Sequence, residues 1–239
     1  MGEPTPRDSL IVALDVPTRD EALALVETLG DTVSFYKIGL ELLFTGGLEI
    51  ANDLKQRGKR VFLDMKLLDI ANTVESAVAQ IAALNLDFLT IHGTDTKTMT
   101  AAVKGRGAAD LKILAVTVLT NLEPKDLAEQ HITTSPADLV LHRARLAKAA
   151  GCNGVIASGQ EAGRLRAALG DGFLIVTPGI RLPSDSADDQ ARVTTPEVAI
   201  AAGADHIVVG RPITRAADPR RAAAQFVSHI DEAKRRRAN

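Results

Sequence analysis

The chain has 239 residues, 46% apolar, 24% charged and 3% aromatic, with a formal net charge of -2. That composition suits a globular protein with a full-sized core, and the absence of a basic domain or an aromatic stacking series argues against nucleic acid as the main partner. No apolar run approaches membrane-spanning length, Met1-Gly2-Glu3-Pro4-Thr5-Pro6 carries no signal region, and the single Cys152 cannot form an intrachain disulfide, so a cytoplasmic protein with no membrane partner is expected.

In chain order, a β-branched apolar run from Ser9 to Val16 predicts a strand, and the helical spacing from Arg19 to Leu29, closed by Gly30, predicts a helix. The alternation repeats with strand Ser34 to Leu40, helix Gly46 to Arg57, strand Arg60 to Leu67 and a helix from Ile70 to Leu84. Phe88 to Gly93 and Lys112 to Leu119 read as the fourth and fifth strands, separated by a short helix from Thr96 to Val103. A broken helical region follows, with its best periodicity from Ala137 to Ala150. Gly154 to Ser158, Phe173 to Ile180 and His206 to Arg211 complete the strands, and Gln160 to Leu169, Pro196 to Ala202 and Pro219 to Lys234 the helices.

Eight strand–helix units with strands apolar on both faces predict an α/β protein of the (β/α)8 TIM-barrel class, one domain over residues 1–239. A doubly wound sheet would carry a glycine fingerprint after its first strand, whereas this strand ends Leu14-Asp15-Val16-Pro17.

Barrel sites lie at the carboxyl ends of the strands, and polar residues gather there in this sequence. Asp15 closes strand one, Lys37 lies within strand two, Asp64 and Lys66 close strand three, and His92 closes strand four. Thr120 follows strand five, Ser158 closes strand six, Thr177-Pro178-Gly179 ends strand seven, and Gly210-Arg211 ends strand eight. Strand alternation puts Asp64 and Lys66 on one face, about 7 Å apart at Cα. Asp69 follows at the turn, and these three charges fit either a structural ion pair or a coupled catalytic set. Isolated buried charges cost several kcal/mol each, so four from three adjacent strands point to function.

Val209-Gly210-Arg211 combines a buried strand, a glycine allowing close backbone approach and a guanidinium suited to a phosphate, where barrels often bind one. The polar loop from Arg181 to Arg192 fits a lid, and the Gln190 amide can bridge two ligand groups as donor and acceptor.

Taken together, Leu14-Asp15-Val16, Lys37, Asp64-Met65-Lys66-Leu67-Leu68-Asp69-Ile70, Thr177-Pro178-Gly179-Ile180, Asp188-Asp189-Gln190 and Val209-Gly210-Arg211-Pro212-Ile213 resemble the orotidine 5′-phosphate decarboxylase family over nearly the whole chain. The resemblance implies conversion of orotidine 5′-monophosphate to uridine 5′-monophosphate and CO2, the last step of pyrimidine nucleotide synthesis, without metal or organic cofactor. It also implies a homodimer with shared sites. Lys37, Asp64, Lys66 and Asp69 would form an alternating charge network, with Asp69 and Thr73 entering the site of the partner subunit. Asp15 and Lys37 would hold the ribose, Thr120 the pyrimidine edge, Gln190 both phosphate and base, and Gly210 and Arg211 the phosphate. Pro178 and Arg181 join the substrate-binding set.

Two rivals have distinct signatures. A Mg-dependent phosphosugar decarboxylase or synthase on a related barrel needs a carboxylate on strand two, where this chain has Lys37, with Glu41 several residues on. A non-catalytic phosphonucleotide-binding barrel would gain little from crowded charges that raise the cost of folding.

Overall fold

The computed structural model describes residues 4–182 and 193–238. Its strands are β1 (Leu10–Ala13), β2 (Phe35–Ile38), β3 (Arg60–Leu67), β4 (Phe88–His92), β5 (Lys112–Val116), β6 (Gly154–Ile156), β7 (Leu174–Thr177) and β8 (His206–Val209). All pair in parallel in sequence order and close into a barrel, β8 returning to β1 through Ile11↔Val208. The helices between and after them are α1 (Arg19–Leu29), α2 (Gly47–Gln56), α3 (Ala71–Ala82), α4 (Thr96–Arg106), α5 (Pro136–Ala149), α6 (Gly159–Leu169), α7 (Pro196–Ala201) and α8 (Pro219–Ala238). The TIM-barrel expectation therefore holds.

Local chemistry starts these helices where the sequence marks them. Thr18, Asp95, Ser135, Ser158 and Thr195 each accept a backbone N–H of the first turn, and Pro136 and Pro196 stand where a missing N–H costs nothing. Pro124–Glu129 is the first piece of the broken helical region after β5, whereas among the described residues three four-residue helices escape the sequence reading: Pro6–Ser9, Leu40–Leu43 and Arg211–Thr214. Each has too few residues to show an apolar period.

Period-two alternation divides the core. Ile11, Ala13, Phe35, Phe62, Phe88, Leu114, Val116, Ile156, Val176 and Val208 fill the barrel interior, whereas Leu10, Val12, Tyr36, Val61, Leu63, Leu89, Ile113, Val155, Ile175 and Ile207 belong to the larger core shared with the helices. At the amino-terminal end the Arg60 guanidinium lies 4.0 Å from the Phe35 ring centroid, and the His206 ring meets Phe35 and Phe88 edge-on. His206 Nδ1 donates to the Asp8 carbonyl at 2.9 Å, and burial pushes its pKa down to about 3, so this plug carries a neutral imidazole.

One device sets strand register three times. Asp87, Asn153 and Asp205 stand just before β4, β6 and β8, and each donates its backbone N–H to the preceding odd-numbered strand, at Val61, Ile113 and Ile175. Its side-chain oxygen accepts the N–H of that same strand residue, at 2.8, 2.9 and 2.7 Å respectively. A basic side chain steadies each oxygen: Lys55 on Asp87, Arg106 on Asn153 and Arg166 on Asp205. Removing the Asp205 side chain leaves the buried Ile175 N–H without its acceptor and takes from Arg166 its closest carboxylate, leaving that guanidinium chiefly the carbonyls of Gly170, Phe173 and Gly203. Asp205→Ala is therefore expected to lower stability in urea unfolding by about 2–4 kcal/mol. Asp205→Asn keeps the acceptor, as Asn153 does, and is expected to lose less than half as much; equal losses would contradict the register role.

Candidate active site

The site stands on the aromatic floor of the barrel. Phe35, Phe62 and Phe88 pack edge to face, with centroids 4.9 Å apart for Phe35 and Phe88 and 5.9 Å for Phe62 and Phe88. Two residues further along each strand, on the same inward face, come Lys37, Asp64 and Thr90. Strand periodicity thus turns an apolar layer into a polar one within a single step.

The sequence-predicted charges meet in that polar layer. Lys37 Nζ lies 3.0 Å from Asp15 Oδ1 and 3.5 Å from Asp64 Oδ2, and Lys66 Nζ approaches the same Asp64 oxygen to 2.8 Å. The order is Asp15, Lys37, Asp64, Lys66, with signs alternating. The Lys37 side chain is 9% exposed and that of Asp64 13%, so their mutual attraction acts with little screening by water. Burial works against both charges. It is outweighed for Lys37 by Asp64 and Asp15, which hold its ammonium above the ordinary lysine value, and for Asp64 by Lys37 and Lys66, which hold its carboxyl below the usual range. Both residues are therefore ionised at neutral pH.

Lys66 reaches this position through an irregularity rather than simple alternation. Leu63 pairs with Leu89 and Leu67 with Ile91, so Asp64, Met65 and Lys66 face Thr90 alone. Lys66 takes up the excess with φ 50°, a left-handed conformation unusual for a side-chain-bearing residue. Sequence reading missed this bulge because neither glycine nor proline marks it.

Two supporting residues were also missed. Thr90 is fully buried; its Oγ1 accepts the Lys66 backbone N–H at 3.0 Å and donates to Asp64 Oδ1 at 2.8 Å. Its signal was a polar side chain at an inward position between Phe88 and His92. A Cβ at Gly39 would stand 3.0 Å from both Asp15 Oδ1 and Lys37 Nζ, so the glycine leaves room for that ion pair. No sequence pattern distinguishes it from an ordinary turn glycine.

The other predicted residues are placed as follows. Asp69 is exposed, and its Oδ1 accepts the neighbouring Ile70 N–H; among the described residues it forms no ion pair with Lys66. Thr73 is exposed in the first turn of α3. Thr120 lies in the turn after β5, and Pro178 directly follows β7. Arg181 is buried, and its Nη1 donates to the Ile180 carbonyl at 2.9 Å. Gly210 borders the ion pairs, since a Cβ there would lie 3.7 Å from Asp15 Oδ2. Arg211 corrects the strand reading: β8 ends at Val209, Gly210 is the N-cap, and Arg211 opens the short helix that Pro212 continues. Gln190 lies outside the described residues; Ile180 and Thr194 form a parallel bridge. At the end of β4, burial and the charges of Lys66 and Arg143 keep His92 below the ordinary histidine pKa. Glu41, the carboxylate a metal site would need, is exposed on the helix Leu40–Leu43.

Known proteins resemble this chain over most of its length. Residues 8–226 match the Orotidine 5'-phosphate decarboxylase / HUMPS family. Orotidine 5'-phosphate decarboxylase of Afipia carboxidovorans is 53% identical over 225 residues, covering 94% of this chain and 95% of that protein. The protein of the same name from Cereibacter sphaeroides is 58% identical over 219 residues, covering 90% and 94%. The crystal structure of the Lactobacillus acidophilus orotidine 5'-phosphate decarboxylase superposes with a TM-score of 0.82 at 36% identity, covering 96% of this chain and 100% of that one. The chain belongs to the orotidine 5'-phosphate decarboxylase / HUMPS family.

Proposed function

We propose that this chain decarboxylates orotidine 5′-monophosphate to uridine 5′-monophosphate and CO2, completing pyrimidine nucleotide synthesis, with residues 1–239 working as one barrel domain. The observation that carries the reading is the Asp15–Lys37–Asp64–Lys66 chain of ion pairs at the carboxyl end of the barrel, in a chain sharing 50–58% identity with decarboxylases of that name.

The chemistry follows from the charges. Breaking the bond from C6 to the carboxylate leaves its electron pair on C6, in the plane of the ring and outside its π system. CO2 departs, and the pair must be stabilised where it forms. Lys66 Nζ supplies a fixed positive charge there and then gives C6 a proton, regaining one from solvent. Asp64 holds Lys66 in place and sets a like charge beside the substrate carboxylate, which is relieved as CO2 leaves. Lys37 keeps Asp64 ionised and, with Asp15, offers hydrogen bonds to the ribose hydroxyls. Thr120 meets the pyrimidine edge. Arg211 and Gly210 take the phosphate, with Pro178 and Arg181 lining the approach and Gln190 spanning phosphate and base. Binding energy from the phosphate, far from C6, favours the reactive arrangement. Asp64 Oδ2 already faces two ammonium groups, whose charge opposes a divalent cation there, and Lys66 supplies in its place the positive charge that the C6 electron pair needs.

The site is completed by a second copy of the chain. Asp69 is turned outward between exposed Leu68 and Ile70, beside a groove of about 480 Å³ that they line with Ala71, Asp95, Lys97 and Thr98. An exposed apolar pair flanking a carboxylate suits an isologous contact in which Asp69 and Thr73 of each subunit approach the other's Lys66. Among the described residues no helix is long and apolar enough to cross a membrane. A reaction on a small phosphorylated nucleotide belongs to the cytoplasm, where we place it.

Turnover measured by the ultraviolet change from orotate to uracil chromophore, in chelator, should proceed with the parent protein and fall by at least about a thousandfold in the Lys66→Ala variant. Unchanged turnover in that variant would remove the mechanism. Shared sites have their own signature: Lys66→Ala and Asp69→Ala proteins, each inactive alone, should regain about a quarter of parental activity when mixed and allowed to exchange subunits. A mixture that stays inactive after exchange would place Asp69 in its own subunit's site.

A further inference from the structure

The irregular stretch of β3 requires something to hold it. Where the β3–β4 ladder is interrupted, Asp64, Met65 and Lys66 face Thr90 alone, and regular backbone pairing resumes only at Leu67. The Lys66 φ of 50° is unfavourable for an L-residue and persists only where its surroundings over-determine it. The backbone N–H of Lys66 has lost its regular ladder partner, and the Thr90 hydroxyl accepts it instead at 3.0 Å. That hydroxyl in turn donates a hydrogen bond to Asp64 Oδ1 at 2.8 Å. One oxygen of Asp64 is thereby held, which leaves Oδ2 aimed at Lys66 Nζ and Lys37 Nζ.

We propose that Thr90 is a positioning residue for the decarboxylation, its single hydroxyl fixing both the left-handed backbone of Lys66 and the carboxylate plane of Asp64. The inference rests on the proposed function, in which Lys66 and Asp64 act on the substrate. Thr90 itself performs no chemistry. Its two hydrogen bonds join the backbone of one member of the charge chain to the side chain of the next, so both move together if the hydroxyl is removed.

A hydroxyl in this role has three properties that a packing role lacks. Valine, with nearly the same shape, cannot replace it, because it would leave the Lys66 N–H and one Asp64 oxygen without a partner inside the barrel. Serine can replace it, since it keeps the oxygen and loses only a methyl group. The loss falls on the reacting geometry and not on phosphate recognition, which is built on β8 and the short helix after it.

The test compares parent, Thr90→Val, Thr90→Ala and Thr90→Ser in steady-state turnover of orotidine 5′-monophosphate, with binding of the product uridine 5′-monophosphate measured by calorimetry and folding checked by urea unfolding. Thr90→Val and Thr90→Ala are expected to lose roughly tenfold to a hundredfold in kcat, the scale of an ångström-sized misplacement of reacting groups. Product affinity should change by less than about threefold, and Thr90→Ser should recover kcat to within about threefold of the parent. Val or Ala variants with parental kcat, or a serine variant as slow as they are, would overturn the inference. If Thr90→Val fails to fold, the contrast between Thr90→Ala and Thr90→Ser decides in the same way. A parent protein without turnover would remove the proposed function and this inference with it, whereas an active parent with an equally active Thr90→Val removes the inference alone.

Discussion

Two ammonium groups share one oxygen of a largely buried carboxylate, and the architecture around them serves that interaction. Taking Lys37 and Asp64 out of water costs several kcal/mol each, and only close, correctly signed neighbours offset it. Neither charge is tolerable alone. The barrel solves the problem by placing them on adjacent parallel strands, where Lys37 and Asp64 rise from one aromatic floor two residues above Phe35 and Phe62. Asp15 extends the chain on one side and Lys66 on the other.

Precision in such a site depends on register. The repeated clamps at Asp87, Asn153 and Asp205 act at the amino-terminal ends of the strands, far from the charges, yet they fix which residue of each odd-numbered strand faces which residue of the next. Asp87 sets the start of β3 against β4, and the bulge further along β3 then spends its two extra residues against Thr90. The clamps thus stand at the amino-terminal end of the strands, and the left-handed backbone of Lys66 at the carboxyl end of β3. Sites that need an unusual backbone commonly keep it where the scaffold beneath is rigid.

Much of this was legible in the sequence, because it rests on periodicity and on polar residues at strand ends. All eight strands were found, and the ion-paired quartet of Asp15, Lys37, Asp64 and Lys66 emerged from their positions. Boundaries were less legible. Arg211 reads as the end of a strand but opens a helix, since a four-residue helix has no apolar period. The bulge at Lys66 left no trace, as left-handed backbone is usually marked by glycine and here is held by a side chain from the next strand. Thr90 was hidden for the same reason: threonine in a strand is ordinary, and only the register reveals what it faces. Asp69 was read from the family resemblance as reaching a partner's site; in the single chain it is exposed and, among the described residues, makes no ion pair with Lys66.

The central claim is that Lys66 stabilises a carbanion at C6 and exchanges a proton with it. By microscopic reversibility the same group must remove the C6 proton from bound product, so the claim can be examined without loss of CO2. The direct measurement is hydrogen–deuterium exchange at C6 of a 5-fluoro derivative of uridine 5′-monophosphate, whose C6–H is more acidic, followed by NMR in deuterium oxide. The account predicts exchange well above the buffer rate with the parent protein and none above it with Lys66→Ala. Exchange that persists unchanged without Lys66, or its absence in a parent protein that decarboxylates, would contradict it.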